Sequence, residues 1–237
     1  MLNDSSTIAA ISTAAGVGGI GIVRLSGSKA HSIAKNICQL DIQAHKVQFS
    51  TFKDFNGELI DKGIVLFFES PRSFTGEDIV EFQGHGGPIV LNLILNACIQ
   101  FGAQIANPGD FTKRAYLNSK MDLAQAESVV DLINASTDVA AKSAINSLSG
   151  NFSIKINTLL ENLIELRMYI EACLDFPEEE IDFITEGKVE DKLKKLSETI
   201  KEILLTAQQG QLLRDGINIV LIGQPNVGKS SLMNQLS

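Results

Sequence analysis

At 237 residues the chain is long enough for two domains with cores of their own, and its formal net charge of -8 removes overall electrostatic attraction as a route to nucleic acid. Its three cysteines, Cys38, Cys98 and Cys173, are far apart and lack C-x-x-C spacing, which argues against a structural zinc site and for a reducing compartment. No basic segment followed by an apolar core opens the chain and no apolar run reaches membrane-spanning length, so a cytosolic globular protein is expected.

Residues 7–12 read as a first strand, followed by Gly16-Val17-Gly18-Gly19-Ile20-Gly21, which matches G-x-G-x-x-G. A dinucleotide site needs the third glycine to open a helix, and here it leads into the strand-like run 22–25. The glycines are therefore expected to make a tight turn or leave room against the backbone. Ala30, Ile33, Ala34 and Ile37 give a short amphipathic helix. Strands are predicted over 47–52 and 60–68, with Asn56-Gly57 as the hairpin turn between them. In 78–83, Val80 and Phe82 share one face while Glu81 and Gln83 share the other. Gly84-His85-Gly86-Gly87 ends that strand, Pro88 opens an apolar helix that Gly102 stops, and 104–106 is a last strand. The outcome is an α+β domain reaching to about residue 118.

From Asp122 the pattern becomes helical, with Gln125 three residues on as a capping box and a helical stretch towards Gly150. A second helix over 152–174 carries Ile156, Leu159, Leu163, Leu166 and Ile170, and a third carries Val189, Leu193, Leu196, Ile200 and Ile203. Their stripes can pack as an antiparallel hairpin, with the acidic run 175–182 as a solvated loop between them. Residues 217–222 form an apolar, β-branched run, predicted as a parallel strand. Gly223-Gln224-Pro225-Asn226-Val227-Gly228-Lys229-Ser230 then fits G-x-x-x-x-G-K-[ST], the phosphate-cradling P-loop. Glycines let backbone N–H groups point at phosphate oxygens, Lys229 would reach the β- and γ-phosphates, and Ser230 would complete a Mg²⁺ shell.

Arg24, Glu81 and Lys120 are the candidate ligand residues of the first domain. A carboxylate on a strand can take two parallel hydrogen bonds from an amino-heterocycle, while Arg24 and Lys120 could meet an anionic end of the same ligand. An internal Arg24–Glu81 ion pair with Lys120 in solvent explains the same residues. His85 reads as a turn residue, since no nucleophile is apparent beside it.

Several stretches together resemble the tRNA-modification GTPase MnmE (TrmE) family. They include Gly18-Gly19-Ile20-Gly21-Ile22-Val23-Arg24-Leu25-Ser26-Gly27, Ser73-Phe74-Thr75-Gly76-Glu77-Asp78, Gln83-Gly84-His85-Gly86-Gly87 and Pro108-Gly109-Asp110-Phe111-Thr112. Leu117 to Glu127, Asp175-Phe176-Pro177-Glu178-Glu179-Glu180-Ile181-Asp182 and the P-loop complete the match. The resemblance implies a first domain, residues 1–118, with a folate-binding fold like that of the glycine-cleavage aminomethyltransferase. It implies a helical domain over 119–215 and the start of an α/β G domain over 216–237.

It further implies 5-formyl- or methylene-tetrahydrofolate held by Arg24, Glu81 and Lys120, and dimerisation through the first domain. The nucleotide site would be Asn226, Val227, Gly228, Lys229, Ser230 and Ser231, with Asn226 on K⁺ and Ser230 on Mg²⁺. The implied activity is GTP hydrolysis coupled to aminomethyl or carboxymethylaminomethyl formation on a tRNA wobble uridine, with the FAD-carrying flavoprotein MnmG (GidA) as partner. No switch regions, Asp-x-x-Gly or Asn-Lys-x-Asp follow the P-loop in this chain, so it is expected to be unable to select guanine or hydrolyse GTP by itself. A non-catalytic folate-binding dimerisation scaffold and a P-loop GTPase of ribosome assembly are the alternatives.

Overall fold

The computed structural model describes residues 6–175, 189–215, 220, 222–223 and 228–236. The chain divides into two compact units, Met1–Glu127 and Ser128–Ser237.

The first unit is built on one mixed sheet of β1 (Ile8–Ile11), β2 (Gly18–Ser26), β3 (Val47–Lys53), β4 (Leu59–Phe68), β5 (Ile79–Gly86) and β6 (Gln104–Ile105), in the order β3-β4-β5-β2-β1-β6. Neighbouring strands are antiparallel except β1 and β6, which run parallel. Period-two alternation sends Val23, Leu25, Val65, Phe67, Val80 and Phe82 to one face, where all are buried. Over that face lie α1 (Ala30–Cys38), with Ile33 and Ile37 inward, and α2 (Pro88–Gln100), with Leu91 and Ile94 inward. Each such side chain, removed from water, contributes about 1.5–3 kcal/mol. Phe52 and Phe82 meet edge to face at 5.3 Å within this core.

Gly21 lies inside β2, so the glycine cluster opens no dinucleotide-binding helix. A Cβ at Gly21 would come within 2.6 Å of the Leu91 methyl carbons, so the glycine is what lets α2 sit directly on the strand. The β3–β4 turn falls at Asn56-Gly57 as expected, with Gly57 at φ 86 and Asp54 Oδ1 accepting from the Asn56 and Glu58 amides.

One helix was not anticipated: α3 (Asp110–Leu117), entered through Gly109 at φ 85. Its sequence DFTKRAYL has only Ala115 buried and carries no apolar stripe long enough to register as helical.

Beyond Asp122 the chain is helical among the described residues: α4 (Leu123–Asn134), α5 (Asp138–Leu148), α6 (Asn151–Asp175), α7 (Val189–Asp215) and α8 (Lys229–Leu236). The capping box is present, the Asp122 amide donating to Gln125 Oε1 and the Gln125 amide to Asp122 Oδ1, both at 2.9 Å. The stretch expected as one helix to Gly150 is divided, because the Thr137 hydroxyl caps a new start by accepting from the Ala140 amide. α6 and α7 pack on each other, with Leu166 and Leu196 buried. Residues 176–182 of the acidic run and most of the strand expected over 217–222 lie outside the described residues.

Candidate functional site

The face of the sheet opposite α1 and α2 carries two of the predicted ligand residues, Arg24 and Glu81. β2 and β5 are in register so that Arg24 stands directly across from Glu81, with Ile22 across from Gln83. The two charged side chains are bonded: Arg24 Nε donates to Glu81 Oε1 at 2.8 Å and Arg24 Nη2 lies 2.7 Å from the same oxygen. Among the described residues, Glu81 Oε2 and Arg24 Nη1 have no protein partner, and no buried side-chain nitrogen or oxygen is left unpaired. Both atoms therefore reach solvent, although the Glu81 side chain is only 12% exposed and that of Arg24 29%. The ion pair leaves one carboxylate oxygen and one guanidinium nitrogen open.

Two aromatic rings flank this pair. The Arg24 guanidinium carbon lies 5.8 Å from the ring centroid of Phe74 and 5.8 Å from that of Phe111. Phe74 belongs to the segment 70–78, within the connection from β4 to β5, and Phe111 to α3. Lys120 is attached to the same connecting segment: its ammonium donates to the Pro71 carbonyl at 3.0 Å, and its stem lies where a Cβ on Gly76 would meet it at 3.2 Å. The structure thus joins Arg24 and Glu81 directly and ties Lys120 to the segment that carries Phe74.

Sequence reasoning passed over both phenylalanines. Each sits in a stretch that resembles the family, Phe74 in 73–78 and Phe111 in 108–112, but nothing in its local spacing marks it as facing a ligand. It also passed over the partner of His85. The His85 ring Nδ1 is 2.7 Å from Asp61 Oδ1 and its amide donates to Asp61 Oδ2 at 2.8 Å. Burial pushes the Asp61 carboxyl up, but the hydrogen bonds from the His85 amide and ring and from the Lys62 amide outweigh it and hold it below its ordinary value. An ionised Asp61 fixes the His85 proton on Nδ1 and leaves Nε2 facing solvent.

Of the nucleotide-site residues, Asn226 and Val227 lie outside the described residues. Gly228 has φ 89, Lys229, Ser230 and Ser231 begin α8, and the Lys229 ammonium donates to the Gly223 carbonyl at 2.8 Å. Among the described residues there is no cluster of three metal-ligating side chains, and no helix is long and apolar enough to cross a membrane.

A groove of about 1460 Å³ lies in the second unit, lined in part by Ser143, Asn151, Lys155 and Thr199. None of Arg24, Glu81 and Lys120 lines it. The sheet face is the better candidate, because partly buried charges with open atoms recognise a ligand more specifically than a wide space between helices.

A mixed sheet backed by two helices, followed by a helical unit, defines a two-part protein with a charged, aromatic-flanked site on its first part. Residues 7–120 match the family model described as the GTP-binding protein TrmE N-terminus, and residues 123–234 match that of the MnmE helical domain. The tRNA modification GTPase MnmE of Saccharophagus degradans is 53% identical over 233 residues, 98% of this chain and 51% of the relative. Its counterpart from Neisseria meningitidis serogroup B is 51% identical over 237 residues, 100% of this chain and 53% of the relative. The one from Hydrogenovibrio crunogenus is 52% identical over 233 residues, 98% and 52%. The chain belongs to the MnmE family, of which it carries the N-terminal and helical domains, and it spans about half the length of the curated relatives it matches.

Proposed function

We propose that this chain is the folate-binding and helical part of a GTPase that modifies the wobble uridine of tRNA. The observation that supports the folate part is the Arg24–Glu81 pair, with Oε2 and Nη1 open to solvent between Phe74 and Phe111. These groups fit a reduced folate: Glu81 Oε2 would accept from the amino-pyrimidine edge, the adjacent Arg24 would donate to an acceptor of the same ring, and Lys120 would meet the anionic tail. When bound, the folate supplies the one-carbon unit, as 5-formyl- or methylene-tetrahydrofolate. The residues of this chain bind and orient it, and the phenylalanine rings exclude water from its flat ring.

For the rest of the reading, residues 1–118 form the folate-binding and dimerisation domain, 119–215 the helical domain, and 216–237 the start of a G domain. GTP would lie on residues 226–231, with K⁺ on Asn226 and Mg²⁺ on Ser230. The partner would be an FAD-carrying flavoprotein of the MnmG type, with tRNA as substrate in the cytoplasm. The relatives' identity as tRNA modification GTPases supports the GTPase and tRNA parts.

Calorimetric titration of the chain with 5-formyltetrahydrofolate tests the folate reading. A saturable one-site isotherm is expected, and a flat titration would overturn it. Wobble-uridine analysis of a strain lacking the gene, with and without the intact gene restored, tests the tRNA reading; identical nucleoside profiles would sink it.

A further inference from the structure

A second ion pair meets Ser26, two residues along β2 from Arg24, and the proposed function leaves it without a role. Arg114 on α3, its side chain 11% exposed, holds Glu77 of the connecting segment, Nη1 to Oε2 at 2.9 Å. The same Nη1 donates to the Ser26 carbonyl at 3.3 Å, and Nη2 donates to Ser6 Oγ at 3.3 Å. Ser26 Oγ donates to Glu77 Oε2 at 2.8 Å and lies 2.7 Å from Thr75 Oγ1, both hydroxyl residues being fully buried. Asn118, just past α3, donates from Nδ2 to the Thr75 carbonyl at 2.8 Å. β2, α3 and the segment 70–78 therefore meet at one polar knot.

Each element in that knot carries one wall of the candidate site. Arg24 is two residues before Ser26 on the same face of β2. Phe74 is next to Thr75. Phe111 is three residues before Arg114, one helical turn away and so on the same side of α3. Lys120 is bonded to Pro71 at the other end of the segment. Fixing Glu77 and Thr75 against Ser26 and Arg114 fixes where the Phe74 ring stands relative to Arg24 and Phe111.

We infer that Arg114 and Glu77 are positioning residues for the folate site: through the Ser26–Thr75 contact they clamp the segment 70–78 and set the approach of Phe74 to the Arg24–Glu81 pair. Arg114 suits the task because its rigid planar fork donates from two separated nitrogens, Nη1 to Glu77 and Ser26 and Nη2 to Ser6, whereas a lysine offers its donors from a single nitrogen. The inference rests on the folate reading of Arg24 and Glu81.

The chain has no tryptophan, so Phe74→Trp gives a single fluorescent reporter on the clamped segment. Glu77→Gln and Arg114→Lys are made with and without that reporter in the full 237-residue chain, and 5-formyltetrahydrofolate affinity is measured by calorimetry. The expected result is a loss of about tenfold or more in affinity, with red-shifted reporter emission and several-fold stronger acrylamide quenching while the far-ultraviolet circular dichroism stays unchanged. Asn118→Ala removes one exposed donor to Thr75 and leaves the ion pair intact. It is expected to weaken binding about threefold, and it decides the matter if the charge variants do not fold. Unchanged affinity in all folded variants, beside a Glu81→Gln variant that has lost it, overturns the positioning role and leaves the folate site standing. If Glu81→Gln also binds as the parent does, the folate reading itself fails and the positioning role with it.

Discussion

Replacing Glu81 by glutamine keeps the shape of the side chain and removes its charge. In the free chain the cost is small, because the amide oxygen of the replacement can still accept from Arg24, so the hydrogen bond survives and only its charge is lost; a loss of about 1 kcal/mol is expected. In the complex the cost is larger. The open Oε2 would accept a charge-assisted hydrogen bond from an amino-heterocycle worth about 1.5–3 kcal/mol, and a neutral amide that turns its NH₂ towards that donor loses about 3 kcal/mol in total. That corresponds to a weakening of about 100-fold. The measurement is a pair of calorimetric titrations with 5-formyltetrahydrofolate at fixed ionic strength, alongside thermal unfolding of both proteins. Equal affinities for the two, with the melting curves close together, would refute the assignment of Glu81 as a ligand contact and return the Arg24–Glu81 pair to a purely structural role.

Gly63→Ala is expected to destabilise the first unit by about 3 kcal/mol, because the added Cβ would lie 2.1 Å from the Gln83 carbonyl oxygen and must push β4 from β5. An unchanged urea midpoint would contradict that close approach. Phe82→Ala, at the centre of the core and fully buried, is expected to cost about 3–5 kcal/mol in the same assay. Asp61 titrates below its ordinary value when folded, so its contribution is present above the usual carboxylate range and lost as pH falls through the folded value. Acid unfolding should therefore be shallower in Asp61→Asn than in the parent, and superimposable acid profiles would count against the His85 contacts. Burial raises the Cys38 thiol to about 11 and pushes Cys98 up further, so a thiol reagent near neutral pH should label Cys173 quickly and the other two only on unfolding.

The strands and helices that alternate or repeat cleanly were legible because burial itself has a period. Val80 and Phe82 face the core and Glu81 and Gln83 face away, as two-residue alternation requires. The third glycine of the 16–21 cluster sits in a strand, and the run of β-branched residues after it already excluded a dinucleotide fold. α3 escaped because eight residues make barely two turns, too few for a helical period to be read from the sequence. The break between α4 and α5 was written in Thr137-Asp138, a capping signal that the continuing apolar spacing concealed.

Residue chemistry along the chain was enough to select Arg24, Glu81 and Lys120 as the groups worth placing, since charges inside apolar strands and beside glycines need a partner. It left open whether that partner was each other or a ligand. Only the tertiary structure decided that Arg24 and Glu81, 57 positions apart, share one hydrogen-bonded register, and that a single oxygen of Glu81 takes both bonds. It alone brought Phe74, Phe111 and the Arg114–Glu77 clamp to the same place. The reason is physical: periodicity reports which face of an element is buried, whereas cross-strand register and the docking of a loop depend on contacts between residues with no local trace of one another.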